Sequence, residues 1–538
     1  MSRRKLEVRF PAAAIAECLR LAGLPPSDID LVAVSTSDVA KTLTRWVPGV
    51  KERFYQVRRR LRPPGLASAL TRAAKGRLTE FGSNRLTRAL SARALRADFR
   101  PVGLASTPLR FFDHHRCHAA AAALSSGVPA ALVITVDGVG DGLSATVSRF
   151  EHGALIRLSA TPASQSLGIF FEHVTTLLNM RELEDEGKVM ALADYAAPLL
   201  DADNPMLALV RAEALTIRTA EPARRLARRL RRILWNCPNE RFAAMAQRTV
   251  ERVVTDLARH ACRATGLRTI ALAGGVASNV KANRCVRLLP DVENVLVFPH
   301  MGDGGLAAGA AAAALLEVGP VEESYMPASL ALGSGFGEDE AEAALRAAGL
   351  RFCRPPAPAA AVADLLIDDR VVLWANGRME FGPRALGHRS VLARPDRPAL
   401  RDRLNVVLKR RAWYQPFCPS ILEADARRVL ADWKGRPDRQ MTMAYAVHRD
   451  AHAVLAGVLS VDGTCRPQIV EEDATGDFPD LLRAMRDRFG MGAVLNTSLN
   501  LHGEPMVRTP AEAVDAFVRS GADALRLGPF LTVRTHDA

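Results

Sequence analysis

The stretch Val133-Ile134-Thr135-Val136-Asp137-Gly138-Val139-Gly140-Asp141-Gly142 decides the fold of this chain. Four β-branched residues in a row predict a buried strand, and the Asp-Gly that ends it predicts a turn into a second strand over Ser144–Phe150. A Gly-rich turn of this kind lets backbone amides approach a phosphate, and the Asp at its strand end can hold a metal directly or through water. An ordinary Asp-Gly turn is the plain alternative. Two turns further along share the plan. Ala271-Leu272-Ala273-Gly274-Gly275-Val276-Ala277-Ser278-Asn279 reads as a strand entering Gly-Gly and then a helix, suited to a nucleotide passing over bare backbone. His300-Met301-Gly302-Asp303-Gly304-Gly305 follows a strand at Asn294–Phe298 and opens a helix over Leu306–Val318. The free amides of that helix start favour a negative group, either the Asp itself or a ligand phosphate.

Three such turns in this order form the pattern of an actin-, sugar-kinase- or heat-shock-chaperone-type ATPase core. The flanking periodicity agrees, with further strands at Leu31–Ser35, Ala131–Asp137, Ala154–Ala160 and Thr269–Ala273. Helices fall between them at Pro11–Ala22, His114–Leu124, Ile169–Leu178 and Phe242–Thr265, which makes an α/β domain. Glu322–Gly337 is rich in Gly, Pro and Ser without periodicity, so a domain boundary is expected there. The expected division is 1–325 for the first domain, 326–344 for a linker and 345–538 for the second. The second mixes strands near Val371–Ala375, Pro419–Leu422, Met443–Val447, Ala493–Leu495 and Phe530–Val533 with helices near Glu338 and at Leu400–Lys409, Asp480–Arg488 and Pro510–Arg519. It reads as α+β or α/β.

Length and composition agree with this division. At 538 residues, with 48% hydrophobic and 24% charged, the chain needs two or three cores and has the material for them. No apolar run reaches the roughly 20 residues of a membrane span, and Met1-Ser2-Arg3-Arg4-Lys5 leads into no signal-peptide core, so a cytoplasmic protein without a membrane partner is expected. Eight cysteines without a C-x-x-C pair exclude a zinc ribbon and a disulfide framework. The net charge of +14 comes from 72 basic residues, of which only eight are Lys. Such an Arg- and Ala-heavy composition reads as coding bias before it reads as a nucleic-acid surface.

Asp113-His114-His115-Arg116-Cys117-His118 is the densest chemical cluster. If the Ala-rich segment after it is helical, His114 and His118 project from one face one turn apart. Two imidazoles at that spacing either chelate a metal or simply cap and hydrogen-bond at a helix start.

At this point the sequence resembles the NodU/CmcH-type O-carbamoyltransferases over essentially its whole length. In the first domain the resemblance rests on Arg3-Arg4-Lys5 with Phe10-Pro11, Asp113–His118, Asp137-Gly138, Gly187-Lys188-Val189-Met190-Ala191-Leu192-Ala193, Ala273–Ala277 with Asn279 and Asn283, and Gly302-Asp303. In the second it rests on Gly377-Arg378-Met379-Glu380-Phe381-Gly382-Pro383-Arg384-Ala385-Leu386-Gly387-His388-Arg389-Ser390, on Lys409 and Arg411 with Pro416-Phe417-Cys418-Pro419, on Asp462–Gln468, and on Leu495–Asn500 with Gly503-Glu504-Pro505. The resemblance implies a YrdC-like α/β C-terminal domain that forms carbamoyl-adenylate from carbamoyl phosphate and ATP with Mg. It also implies a TsaD-like N-terminal domain that passes the carbamoyl group to the hydroxyl of a sugar or secondary metabolite, as in antibiotic or nodulation-factor biosynthesis. By position it implies His114, His118, Asp137 and Asp303 as ligands of Fe(II), with Mn or Zn compatible with the same donors. Lys409, Arg411, Arg384 and Arg389 would be catalytic. Gly168, Gly187, Lys188, Gly274, Gly275, Asn279, Gly302, Arg378, Ser390, Arg466, Asn496, Ser498 and Asn500 would line the nucleotide and carbamoyl phosphate sites.

The second domain also makes chemical sense without the resemblance. Carbamoyl phosphate and ATP carry many negative oxygens, and Arg378, Arg384, Arg389, Lys409, Arg411 and Arg466 are cations able to hold them together. Three departures from the family pattern stand out. The pattern begins with a β-hairpin carrying a His-Asp-Ala/Ser-Ser-type motif, whereas this chain starts inside the motif that follows; a start codon assigned too late is the expected reading. Ala412 stands where the family has Glu, and Gln415 where it has Arg. Two competing readings are a tRNA threonylcarbamoylation-type enzyme, against which the Gly377–Ser390 motif argues, and a degenerate, non-catalytic ATP-binding protein.

Overall fold

The computed structural model describes residues 3, 5, 7–65, 68–321, 327 and 329–534. Arg4, and residues 322–326 and 328 at the expected domain boundary, lie outside them. The chain divides into two compact units, one of residues 7–327 and one of residues 1–6 with 328–538.

In the first unit, β1 (Val32–Ser35) and β2 (Leu109–Phe112) pair in parallel. Between them lie helices at Val39–Trp46, Pro48–Arg58, Ser68–Leu78 and Arg85–Phe99; the dense basic stretch Arg58–Arg100, which the sequence marks as solvated helices or an anionic-ligand surface, runs through the last two. β3 (Ala130–Gly140), β4 (Leu143–Glu151) and β5 (Ala154–Pro162) form an antiparallel meander. A hairpin joins β6 (Val210–Glu213) to β7 (Thr216–Thr219). β8 (Thr269–Ala273) and β9 (Asn294–Val297) extend the meander in parallel with β3, giving the sheet order β5-β4-β3-β8-β9. In this register Thr135 neighbours Ala273, and Leu272 neighbours Val297. All three parallel strands therefore end at one edge, where an α/β sheet offers its ligand crevice. Two Ala-rich helices, His114–Leu124 and Leu306–Val318, pack together with Cys117, Ala120, Ala310 and Ala313 buried between them. The small side chains let the two backbones approach closely and bring both helix starts to that edge.

In the second unit the strands are β10 (Val372–Ala375), β11 (Arg389–Ala393), β12 (Cys418–Leu422), β13 (Tyr445–Ala446), β14 (Thr464–Cys465), β15 (Gln468–Val470), β16 (Ala493–Ser498), β17 (Ala524–Leu527) and β18 (Phe530–Val533). Seven of them form a mixed sheet in the order β15-β12-β16-β11-β10-β17-β18. The helices Pro358–Ile367 and Asp477–Phe489 cover it, with Trp374, Leu422, Leu481, Met485 and Val494 in the core between.

Two expectations are corrected here. The described part of the expected linker is packed, because Gly333 N donates to Met379 O (2.9 Å) and Arg378 donates to the carbonyls of Leu332 and Gly333. The helix expected near Glu338 starts there. The expected helix Leu400–Lys409 is α-helical only over Pro398–Arg403 and then widens into a π turn over Leu404–Leu408, closed by Lys409 N donating to Leu404 O (2.8 Å). No helix among the described residues is long and apolar enough to cross a membrane.

Candidate functional site

The helix start at His114 is fixed by its neighbours. Asp113 caps it by accepting Arg116 N (2.8 Å), and Asp141, carried round by the β3–β4 turn, accepts His114 N (2.8 Å). Asp141 is nearly buried and also accepts the hydroxyls of Thr36 (2.9 Å) and Ser83. The sequence reading contains this residue without giving it a role; its signal is a second acid in one Gly-rich turn.

His114 Nε2 lies 2.9 Å from Asp137 Oδ2 and 3.6 Å from Asp303 Oδ1. His118 Nε2 lies 3.4 Å and 3.8 Å from the same two atoms. One ligand atom from each of the four residues lies within 4.8 Å of every other, the spread expected of donors around one ion. Both imidazoles are buried, whereas the Asp303 side chain is 59% exposed and marks the open side. The buried His118 Nε2 makes no hydrogen bond with proper geometry. Burial alone would lower the His118 pKa, but Asp137 and Asp303 reverse this and push it up to about 9. Asp137 is held well below the usual carboxylate range despite its burial, by its hydrogen bond with His114 and by the neighbouring His118 imidazole. An unpartnered ring nitrogen among two carboxylates is a site that fits a divalent cation of the Fe(II), Mn or Zn type. His115 faces away, its Nδ1 bonded to Thr135 Oγ1 (2.8 Å), and burial followed by the neighbouring His114 lowers it to about 3.

The glycines around Asp137 hold it. Gly274 has φ +93°, and a Cβ there would strike the Val136 carbonyl. Gly275 N donates to Asp137 Oδ1 (3.0 Å), and a Cβ on Gly275 would sit 2.8 Å from that oxygen. Gly168 abuts the Asp137–Gly138 backbone. Gly302 precedes Asp303 on the same turn. Asn279 is committed to capping the next helix and to Gln247. Gly187 and Lys188 lie on the helix Glu186–Leu192, with Lys188 Nζ paired to Asp185 (2.9 Å).

The second unit assembles a different group. Lys409, turned by the π turn, is buried and donates to Asn500 Oδ1 (3.0 Å), Asn500 O (3.1 Å) and Ser498 O. Burial, then Arg411 and Lys5, drives its pKa well down. Arg3 ties the chain start to this region by bonding Met506 O (3.0 Å) and Glu512 (3.2 Å). Arg411 Nε donates to Asn405 Oδ1 (2.6 Å), and its guanidinium lies over Phe417 (4.1 Å). Arg466 donates to Cys418 Sγ (2.8 and 3.1 Å). Burial, then Arg466, presses Arg384 down to about 9, and its Nε has no hydrogen-bond partner. Asn496 donates to Ala385 O (3.1 Å) and Ser420 Oγ (2.9 Å), leaving Oδ1 unpartnered.

Arg389 and Arg378 stand apart from this group. Arg389, fully buried at the start of β11, gives its guanidinium to the carbonyls of Asn376, Gly377 and His388, each at 3.0 Å. Arg378 is spent on Leu332 and Gly333. Ser390 Oγ accepts Gly387 N (3.2 Å). The organiser of this loop is Glu380, which accepts the amides of Leu386 (3.0 Å), His388 (2.9 Å) and Arg389 (3.0 Å). Sequence reasoning missed it; its signal is the lone acid inside a cationic motif.

The family model for the carbamoyltransferase N-terminus matches residues 1–312, and the one for the carbamoyltransferase C-terminus matches residues 363–534. The chain is 30% identical to nodulation protein NolNO of Sinorhizobium fredii over 99% of its own length and 75% of that protein. It is 33% identical to nodulation protein NolO of Bradyrhizobium diazoefficiens over 78% of each chain. Among solved structures, HypF of T. kodakarensis aligns with 42% of this chain and 39% of its own at 15% identity, with a TM-score of 0.27.

Proposed function

This chain belongs to the carbamoyltransferase family, and from that premise we propose that it forms carbamoyl-adenylate in the later unit and transfers the carbamoyl group to an alcohol in the earlier one. The observation that carries the activation half is a set of cations gathered without counter-charge among the described residues. Among the described residues, Lys409, Arg384, Arg411 and Arg466 make no ion pair with a carboxylate. Burying several like charges this way is costly unless an anion joins them, and carbamoyl phosphate with the triphosphate of ATP supplies it. Arg384 and Arg411 would grip phosphate oxygens in parallel, and Lys409 would meet the transferring group as a point charge. Water takes the phosphoryl group of carbamoyl phosphate, leaving carbamate and phosphate; a carbamate oxygen then attacks the α-phosphorus of ATP, so that carbamoyl-adenylate forms as pyrophosphate leaves.

The order β5-β4-β3-β8-β9, with its parallel half, supports an actin- and TsaD-like reading of the earlier unit. A YrdC-like reading of the later one rests on the resemblance alone. In the earlier unit His114, His118, Asp137 and Asp303 would hold the metal, which would supply Lewis-acid polarisation of a carbonyl or phosphate oxygen. Gly274 and Gly275 leave the backbone bare for the nucleotide, while Asp141 keeps the His114 helix start in position. Transfer then breaks the carbamoyl–phosphate bond of the adenylate, joins the acceptor oxygen to the carbamoyl carbon and releases AMP. The test is incubation of the full chain with carbamoyl phosphate, ATP and Mg, following pyrophosphate release and trapping carbamoyl-adenylate by mass spectrometry. Pyrophosphate release that requires carbamoyl phosphate is the expected result; none, or release independent of it, rejects the mechanism.

A further inference from the structure

The helical segment between β1 and β2 places three of the eight lysines of this Arg-dominated chain around two aromatic rings. Lys75 Nζ sits 3.8 Å from the centre of the Phe54 ring and 4.5 Å from that of Tyr55, both on the helix Pro48–Arg58. Lys51 begins the same helix, and Lys41 lies on the helix before it. All three are half-buried, and none makes an ion pair with a carboxylate among the described residues. They sense one another. Burial, then Lys41 and Arg45, lowers Lys51 to about 8; burial, then Lys41, Arg58 and Lys51, lowers Lys75 to about 7. Lys41 stays raised: burial opposes its charge, but Tyr55, Asp303 and Asp38 outweigh it. Asp38 caps the helix of Lys41 by accepting Lys41 N (2.6 Å) and shares the Thr36 hydroxyl with Asp141, which accepts His114 N, so that helix starts beside the quartet, whose Asp303 corner is the exposed one.

We propose that Lys41, Lys51 and Lys75 form an oxyanion subsite on the open side of the quartet, which recognises a phosphate or carboxylate carried by the alcohol acceptor. The inference rests on the transfer reading above and narrows its acceptor to an anionic one. An oxyanion would relieve the repulsion among three crowded amines, and the Phe54 and Tyr55 rings give an acceptor ring an apolar floor. A phosphate could come instead from the nucleotide, so the experiment separates the two sources.

Calorimetric titration of the full chain compares glucose 6-phosphate, its uncharged parent glucose, and AMP. Glucose 6-phosphate is expected to bind at least about tenfold more tightly than glucose. The double variant Lys51→Gln/Lys75→Gln should erase that preference, and Lys51→Arg/Lys75→Arg should keep it, separating lost charge from lost folding. Equal binding of the phosphorylated and uncharged sugars by the unaltered chain overturns the proposal. So does a double Gln variant that keeps the preference, or one that loses as much affinity for AMP as for glucose 6-phosphate. Pyrophosphate release in the same preparations reads the activation step by itself, so the two proposals fail separately.

Discussion

The metal-ready quartet and the cation group are built with opposite electrical intent. In the first, burial is overridden and protons are held, so His118 is pushed up to about 9 between two carboxylates. In the second, burial wins and works against the charge of the cations, with Lys409 driven well down and Arg384 pressed to about 9. A site short of positive charge calls for a metal; one short of negative charge calls for polyanions. The contrast teaches that one chain can hold both deficits if separate cores support them, because each ligand would otherwise be drawn to the other site's residues.

The sharpest way to break the comparison is to remove one member of the quartet. His118→Ala should weaken binding of Fe(II), Mn or Zn by at least about a hundredfold, measured by metal analysis after gel filtration, and carbamoyl transfer should fall with it. Pyrophosphate release should persist, because His118 belongs to the other unit. Loss of both activities together would dissolve the division of labour.

Next in size is a contrast within the cation group. Arg384→Met should lower pyrophosphate release by about a hundredfold with little change in Tm, since its Nε holds no partner in the fold. Arg389→Met should instead lower Tm first, because three main-chain carbonyls lose their donor in a buried place, at about 1–3 kcal/mol for each group left unpaired. A stable Arg389→Met protein with impaired pyrophosphate release would return Arg389 to the reacting group.

That contrast also marks how far the sequence was legible. Each member of the quartet sits at a position that local rules define, two on one helix face, one at a strand end and one at a helix start, but that the four form one ligand set was implied by the family resemblance and not by those rules. The register of β3, β8 and β9 brings these ends together. The cation group was legible only as a list of arginines. A guanidinium has the same sequence appearance whether its buried Nε stands unpartnered, as in Arg384, or its donors stitch main-chain carbonyls, as in Arg389 and Arg378. β2, β11 and β17 were missed for a related reason: each is only four or five residues long, and β11 and β17 carry a buried Arg that masks their strand pattern. Glu380 and Asp141 act on amides distant along the chain, and no local periodicity announces that.

The smallest expected effect tests the opposite signs directly, through pH. In protein stripped of metal by a chelator, His118 has a folded pKa of about 9 against an ordinary 6.5, so the folded chain binds the extra proton between those values. The stability it contributes is then fully present below pH 6.5 and is lost as pH rises through about 9. The expected fall is about 1–3 kcal/mol across the window, a few degrees in Tm. Arg384 carries the reverse sign: its folded pKa of about 9 lies below the ordinary 12.5, so its cost is fully present below pH 9 and eases only above it. Between pH 6.5 and 9 the downward slope therefore belongs to the quartet. His118→Gln should flatten it, and adding back the divalent metal should flatten it too, because a bound cation replaces the proton. A slope that survives both changes would mean that some group outside the quartet sets the pH response, and the paired deficits would no longer describe the molecule.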